Sequence, residues 1–115
     1  MSIERKKVGP RLSQAVVHGD TVYLAGIVAD HPIPEVAAQT GQILDQIDKL
    51  LAECGTDKSK LLMATIWLAD IRYYEEMNSV WDKWVAPGQT PARACVEARL
   101  AQPKYLVEIR VVAAR

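Results

Sequence analysis

The residues most able to do chemistry lie in two short β-prone runs near the end of the chain, Thr90-Pro91-Ala92-Arg93-Ala94-Cys95-Val96-Glu97 and Leu106-Val107-Glu108-Ile109-Arg110-Val111. In an extended strand successive side chains alternate between faces, so Arg93, Cys95 and Glu97 share one face of the first run, and Glu108 and Arg110 one face of the second. If the two strands are neighbours in one sheet, a guanidinium, a thiol and a carboxylate converge on one patch suited to a small carboxylate-bearing molecule. Arg93 is the strongest candidate, because its planar, permanently charged fork holds a carboxylate through two parallel hydrogen bonds. The alternative is a solvated edge-strand arginine.

Glu108 stands in an apolar run, so its carboxylate either faces a polar pocket or pairs with Arg93 or Arg110. Beside an arginine such a group can hold a water molecule and act as general base, then acid. Cys95 shares the Arg93 face, but no histidine lies near it in sequence, and a lone cysteine reads more simply as a small buried hydrophobe. His18 and His31 have no ligands at metal spacing, and Gly19 and Gly26 stand outside any phosphate-cradling loop, so neither a metal nor a nucleotide cofactor is expected.

These residues need elements to position them. Ala15–His18 and Thr21–Ala25 read as a hairpin around Gly19-Asp20. A loop holding Pro32 and Pro34 follows. From Glu35 the apolar positions Ile43, Ile47, Leu50, Leu51 and Cys54 recur at helical spacing until Gly55. Leu61–Leu68, apolar almost throughout, predicts a central strand buried on both faces. A second helix from about Tyr73 to Val85 carries Met77, Val80, Trp81 and Trp84 as an apolar stripe, ended by Pro87-Gly88. There is room for a short extra strand at Glu4 to Val8. The pattern predicts one α+β domain over residues 1–115, with two helices packed on one face of a mixed sheet. The uncovered face is expected to be buried in a homo-oligomer, and the three tryptophans to fill the core.

The 115 residues carry 14 basic and 14 acidic side chains, with no basic stripe beyond Arg5-Lys6-Lys7, so nucleic-acid binding has no support. The start lacks the apolar segment of a secretory signal, and no run approaches the ~20 residues that span a bilayer, which predicts a cytoplasmic protein. Cys54 and Cys95 predict no disulfide.

Pro91–Glu97, with Val107-Glu108-Ile109, Gly26 after the hairpin and Asn78 in the second helix, closely resembles the Rid family, also called YjgF, over essentially the whole chain. The resemblance implies a chorismate-mutase-like fold and a homotrimer with three clefts between subunits. It also implies cofactor-free hydrolysis of reactive enamines and imines, such as 2-aminoacrylate, to 2-oxo acids and ammonia. In that scheme Arg93 clamps the substrate carboxylate, the backbone at Cys95 assists, and Glu108 positions the attacking water. Leu12 stands where the archetype has a tyrosine, and Ala25-Gly26-Ile27 where it has serine-glycine-glutamine, so two polar walls of the cleft become apolar. The loop from Ala29 to Glu35 also looks shorter. Gln14–His18, Asn78–Asp82 and Gln102–Tyr105 look more like the YoaB-like branch. The departures favour a second reading, a non-catalytic module that binds a 2-oxo acid.

Overall fold

A computed structural model describes residues 1–115. Six strands, β1 (Ile3–Val8), β2 (Ser13–His18), β3 (Thr21–Leu24), β4 (Leu61–Leu68), β5 (Ala92–Glu97) and β6 (Val107–Ala114), form one sheet in the order β1-β2-β3-β6-β4-β5. Helix α1 (Val36–Glu53) follows β3, and α2 (Tyr74–Trp84) joins β4 to β5. The hairpin forms as expected, with Gly19 at φ +60°, a left-handed conformation that a side chain would disfavour. The Glu4–Val8 segment is a full edge strand paired with β2. A single turn of 3-10 helix at Ile71–Tyr73 precedes α2, whose start Asp70 marks by accepting from the Arg72 N–H at 2.9 Å.

Two expectations fail, for one reason. β5 and β6 are not neighbours: β4 lies between them, parallel to β5 and antiparallel to β6. A helix between β4 and β5 makes that pair a crossover unit, and parallel pairing is what such a unit permits. The returning chain then fills the slot between β3 and β4. β4 is therefore interior, but only one of its faces is buried. Ala64, Ile66 and Leu68 are enclosed, whereas Leu62 and Met63 are 51% and 43% exposed, because this chain supplies no layer over the second face.

The covered face holds the core. Ile43 and Ile47 of α1 and Met77 and Trp81 of α2 pack on Ile66 and Ile109 of the central strands. Thus both helices lie on one side, as the apolar periodicities require. Gln39 of α1, fully buried, ties two loops together: its Nε2 donates to the carbonyls of Ile33 (2.8 Å) and Lys104 (3.0 Å), and its Oε1 accepts from Leu106 N–H (2.9 Å). It fixes the chain just before β6, the strand that carries Glu108. No helix is long and apolar enough to cross a membrane, and Cys54 and Cys95 are both free thiols.

Candidate functional site

Strand register places the singled-out residues on two sides of the sheet. Arg93 is level with Ala64, and Cys95 with Ile66, both buried beneath the helices, so Arg93 and Cys95 point to the helix side at the edge strand. Glu108 is level with Trp67 and alternates with the buried Val107 and Ile109, so it points to the open side. The convergence of guanidinium, thiol and carboxylate expected of adjacent strands does not occur within one chain. Both reasons are topological: an intervening strand and opposite faces.

On the helix side, α2 presents Tyr74, Asn78 and Trp81, spaced i, i+4 and i+7, to Arg93. Arg93 Nη1 donates to Asn78 Oδ1 at 2.8 Å and Nη2 to the Tyr74 hydroxyl at 3.1 Å. Its Cζ lies 5.2 Å from the Trp81 ring centroid and 5.7 Å from that of Tyr74, within cation–π range. No carboxylate pairs with it. The guanidinium is thus oriented by neutral groups alone and keeps its charge uncompensated, with three N–H groups free of the five it carries. Cys95 packs against the core, and burial pushes its thiol up, against a smaller opposing pull from Arg93. A protonated thiol without a neighbouring base is no nucleophile.

On the open side, Glu108 stands over a backbone irregularity. Tyr23 is level with Val112 and Ile27 with Ile109, so Leu24, Ala25 and Gly26 face only Arg110 and Val111. This one-residue excess is a β-bulge, a feature that re-aims side chains at strand ends. It brings the Gly26 backbone so near the Glu108 carboxylate that a Cβ at Gly26 would overlap Oε2. A side chain at position 26 would push the Glu108 carboxylate from its place. Glu108 makes no ion pair with Arg93, Arg110 or any other cation, and burial alone raises its carboxyl above the usual carboxylate range.

Ala25 sits at the same sheet end, its N–H donating to Gln14 O at 2.9 Å. Leu12, 54% exposed, forms the turn before β2, its carbonyl accepting from Gly9 N–H. Gly26 and Glu108 are therefore in contact, with Ala25 beside Gly26 and Leu12 in the turn before β2, whereas Arg93 and Cys95 face the helix side. Ile27 joins neither group: its side chain lies in the core at 3% exposure, so it is no cleft wall. Beside Gly26 opens a hollow of about 300 Å³ lined by Gln14, Asp30, Gln46 and Tyr105. A larger concavity, about 720 Å³ between Ala69 and the loop from Glu97 to Tyr105, is lined by Glu97 but by none of Arg93, Cys95, Glu108, Leu12, Ala25 and Gly26. No three acidic, histidine or cysteine side chains gather in metal-holding geometry.

Sequence reasoning missed the aromatic bed. Trp81, expected only to fill the core, does so at 4% exposure and also carries Arg93 over its ring. Tyr74 joins the bed through its spacing from Asn78 and Trp81, i, i+4 and i+7 along the helix.

A mixed six-stranded sheet with both helices on one side makes this a compact α+β domain, with Arg93 on the helix side and Glu108 on the open side. The chain belongs to the YjgF, or Rid, family, matching its description Endoribonuclease L-PSP over residues 4–115. A crystal structure of a YjgF family member from Neisseria meningitidis superposes with a TM-score of 0.97 at 50% identity, covering 100% of this chain and 96% of that one. A RutC family protein of Haemophilus ducreyi is 46% identical over 97% of this chain and 96% of its own. The RutC family protein YoaB of Escherichia coli is 43% identical over 99% of each, in accord with the YoaB-like segments.

Proposed function

We propose that the protein is a cofactor-independent deaminase of 2-imino and enamine acids, acting in clefts between copies of the chain. The observation that carries the reading is Arg93: a guanidinium stacked on two rings, held by neutral partners and lacking any anion of its own. Such a group is poised for a carboxylate. Glu108 lies on the far face, so a ligand touching both must lie between Arg93 of one copy and Glu108 of another. The open face supports that assembly, since Ile3, Tyr23, Met63 and Val96 are each more than 40% exposed on it. A homotrimer, as the family resemblance implies, closes three such clefts.

In this scheme Arg93 grips the carboxylate, with the Cys95 backbone beside it. Glu108 takes a proton from water as the new C–O bond forms at C2 of the imine. It returns that proton to the nitrogen, giving a carbinolamine, then takes the hydroxyl proton and passes it to the amino nitrogen as the C=O forms and the C–N bond breaks, so that a 2-oxo acid and ammonia leave. A carboxyl raised by burial suits this alternation, because its proton affinity is closer to that of the groups it serves. Orientation and charge placement supply the rest. Balanced charge and the absence of a basic stripe give no support to the RNA cleavage that the family description names.

The exposed Leu12 and the small Ala25, where polar walls were expected, favour a second reading, a 2-oxo acid binding module without turnover. A panel of 2-imino acids generated by an amino-acid oxidase separates the two. Wild type should accelerate imine loss on at least one member, and Arg93→Ala should lower that acceleration by at least about 100-fold while the assembly persists. No acceleration across the panel, with thermal stabilisation by 2-oxo acids, would establish the binding module instead.

A further inference from the structure

The Tyr74 hydroxyl accepts a hydrogen bond from Arg93 Nη2, and its own proton has no acceptor in the chain. The side chain is 37% exposed, so this is a free donor beside the free N–H groups of the guanidinium. A hydroxyl that only tethered Arg93 would need no such opening. Its ring also lies under Arg93 Cζ at 5.7 Å, which fixes where the hydroxyl points relative to the fork. Asn78 differs: its Oδ1 is spent on Nη1, and it acts through Arg93 as a positioning residue.

We infer that Tyr74 is a ligand-contacting residue of this site, giving its hydroxyl proton to an oxygen of the same carboxylate that Arg93 holds. The inference rests on the reading of Arg93 as a carboxylate clamp and adds to it a donor carried by α2. A hydroxyl between a guanidinium and a carboxylate is polarised by the first and donates more strongly to the second. The contact is made equally to substrate and product, since the carboxylate is unchanged by the reaction. Tyr74 should therefore govern affinity rather than turnover.

The test titrates pyruvate labelled with ¹³C at its carboxyl group into wild type, Arg93→Ala and Tyr74→Phe, followed by NMR, with imine turnover measured alongside. Phenylalanine keeps the ring beneath Arg93 and removes only the hydroxyl. The expected result is Arg93-dependent binding, a Kd about tenfold weaker in Tyr74→Phe, as befits one hydrogen bond to a charged group, and a displaced bound-state carboxyl resonance. KM should rise in parallel, with kcat within about twofold of wild type. Unchanged affinity in Tyr74→Phe, or weaker binding with an unmoved carboxyl resonance, would overturn the contact while Arg93-dependent binding kept the clamp. Binding that is unaffected by Arg93→Ala would remove both.

Discussion

Two side chains of opposite charge, each without an ion-pair partner, define this molecule at the scale of single residues. Arg93 is stabilised as a cation by neutral acceptors and aromatic faces, whereas Glu108 is left in a partly desolvated place with nothing to offset its charge. The sign of the Glu108 effect follows from linkage. A carboxyl raised by burial binds its proton more tightly in the folded than in the unfolded state, so stability is lost as pH rises from the unfolded value through the folded one. Glu108→Gln removes that loss. Thermal unfolding should show the variant equal to wild type near pH 4, about where an ordinary carboxyl titrates, and more stable at pH 7. Equal or lower stability of the variant at pH 7 would mean that a cation meets Glu108 in the assembled protein. Turnover should fall in either case, the trade between activity and stability that a strained functional group imposes.

At the scale of elements, much of the fold was legible because periodicity reports burial. The α1 positions Ile43, Ile47, Leu50 and Leu51 are all enclosed, and the Gly19-Asp20 turn forms where it was read. What periodicity could not report was adjacency. Arg93 and Glu108 alternate correctly along their own strands, yet no pattern within β5 or β6 reveals that β4 separates them or that they face opposite ways. The Leu61–Leu68 run misled in the same manner, since an apolar side chain on an unpaired face looks in sequence like one in the core. The bulge at Gly26 was invisible too, because it is a mismatch between β3 and β6 rather than a property of either. Gln39 shows how a polar residue inside an apolar helix face can be the keystone of two loops. Gln39→Leu, near in volume, leaves two carbonyls and one N–H without their partner. It should cost about 2–4 kcal/mol in denaturant unfolding and loosen the chain leading to Glu108, so turnover should fall before the fold is lost. A variant as stable and active as wild type would show that solvent replaces Gln39 without penalty.

At the scale of the whole molecule, the sheet acts as a partition. It keeps the Arg93 cation on its helix side and the Glu108 carboxylate on its open side, with β4 between their strands. In the proposed deaminase, chemistry shared between Arg93 and Glu108 is shared between copies, and that requirement can be read out without any structure of the assembly. Arg93→Ala retains a native Glu108, and Glu108→Gln retains a native Arg93; each alone should be inactive. When the two are unfolded together and refolded in equal amounts, a cleft that draws its arginine from a Glu108→Gln copy and its glutamate from an Arg93→Ala copy is whole. Random assembly makes about one cleft in four of that kind, so activity should return to about a quarter of wild type in a cyclic assembly of identical clefts. A site contained in one chain returns nothing on mixing, and that result would place Arg93 and Glu108 in separate events. Recovery that tracks the mixing ratio, greatest at equal proportions, would establish the subunit boundary as the floor of the site and make assembly itself a condition of catalysis.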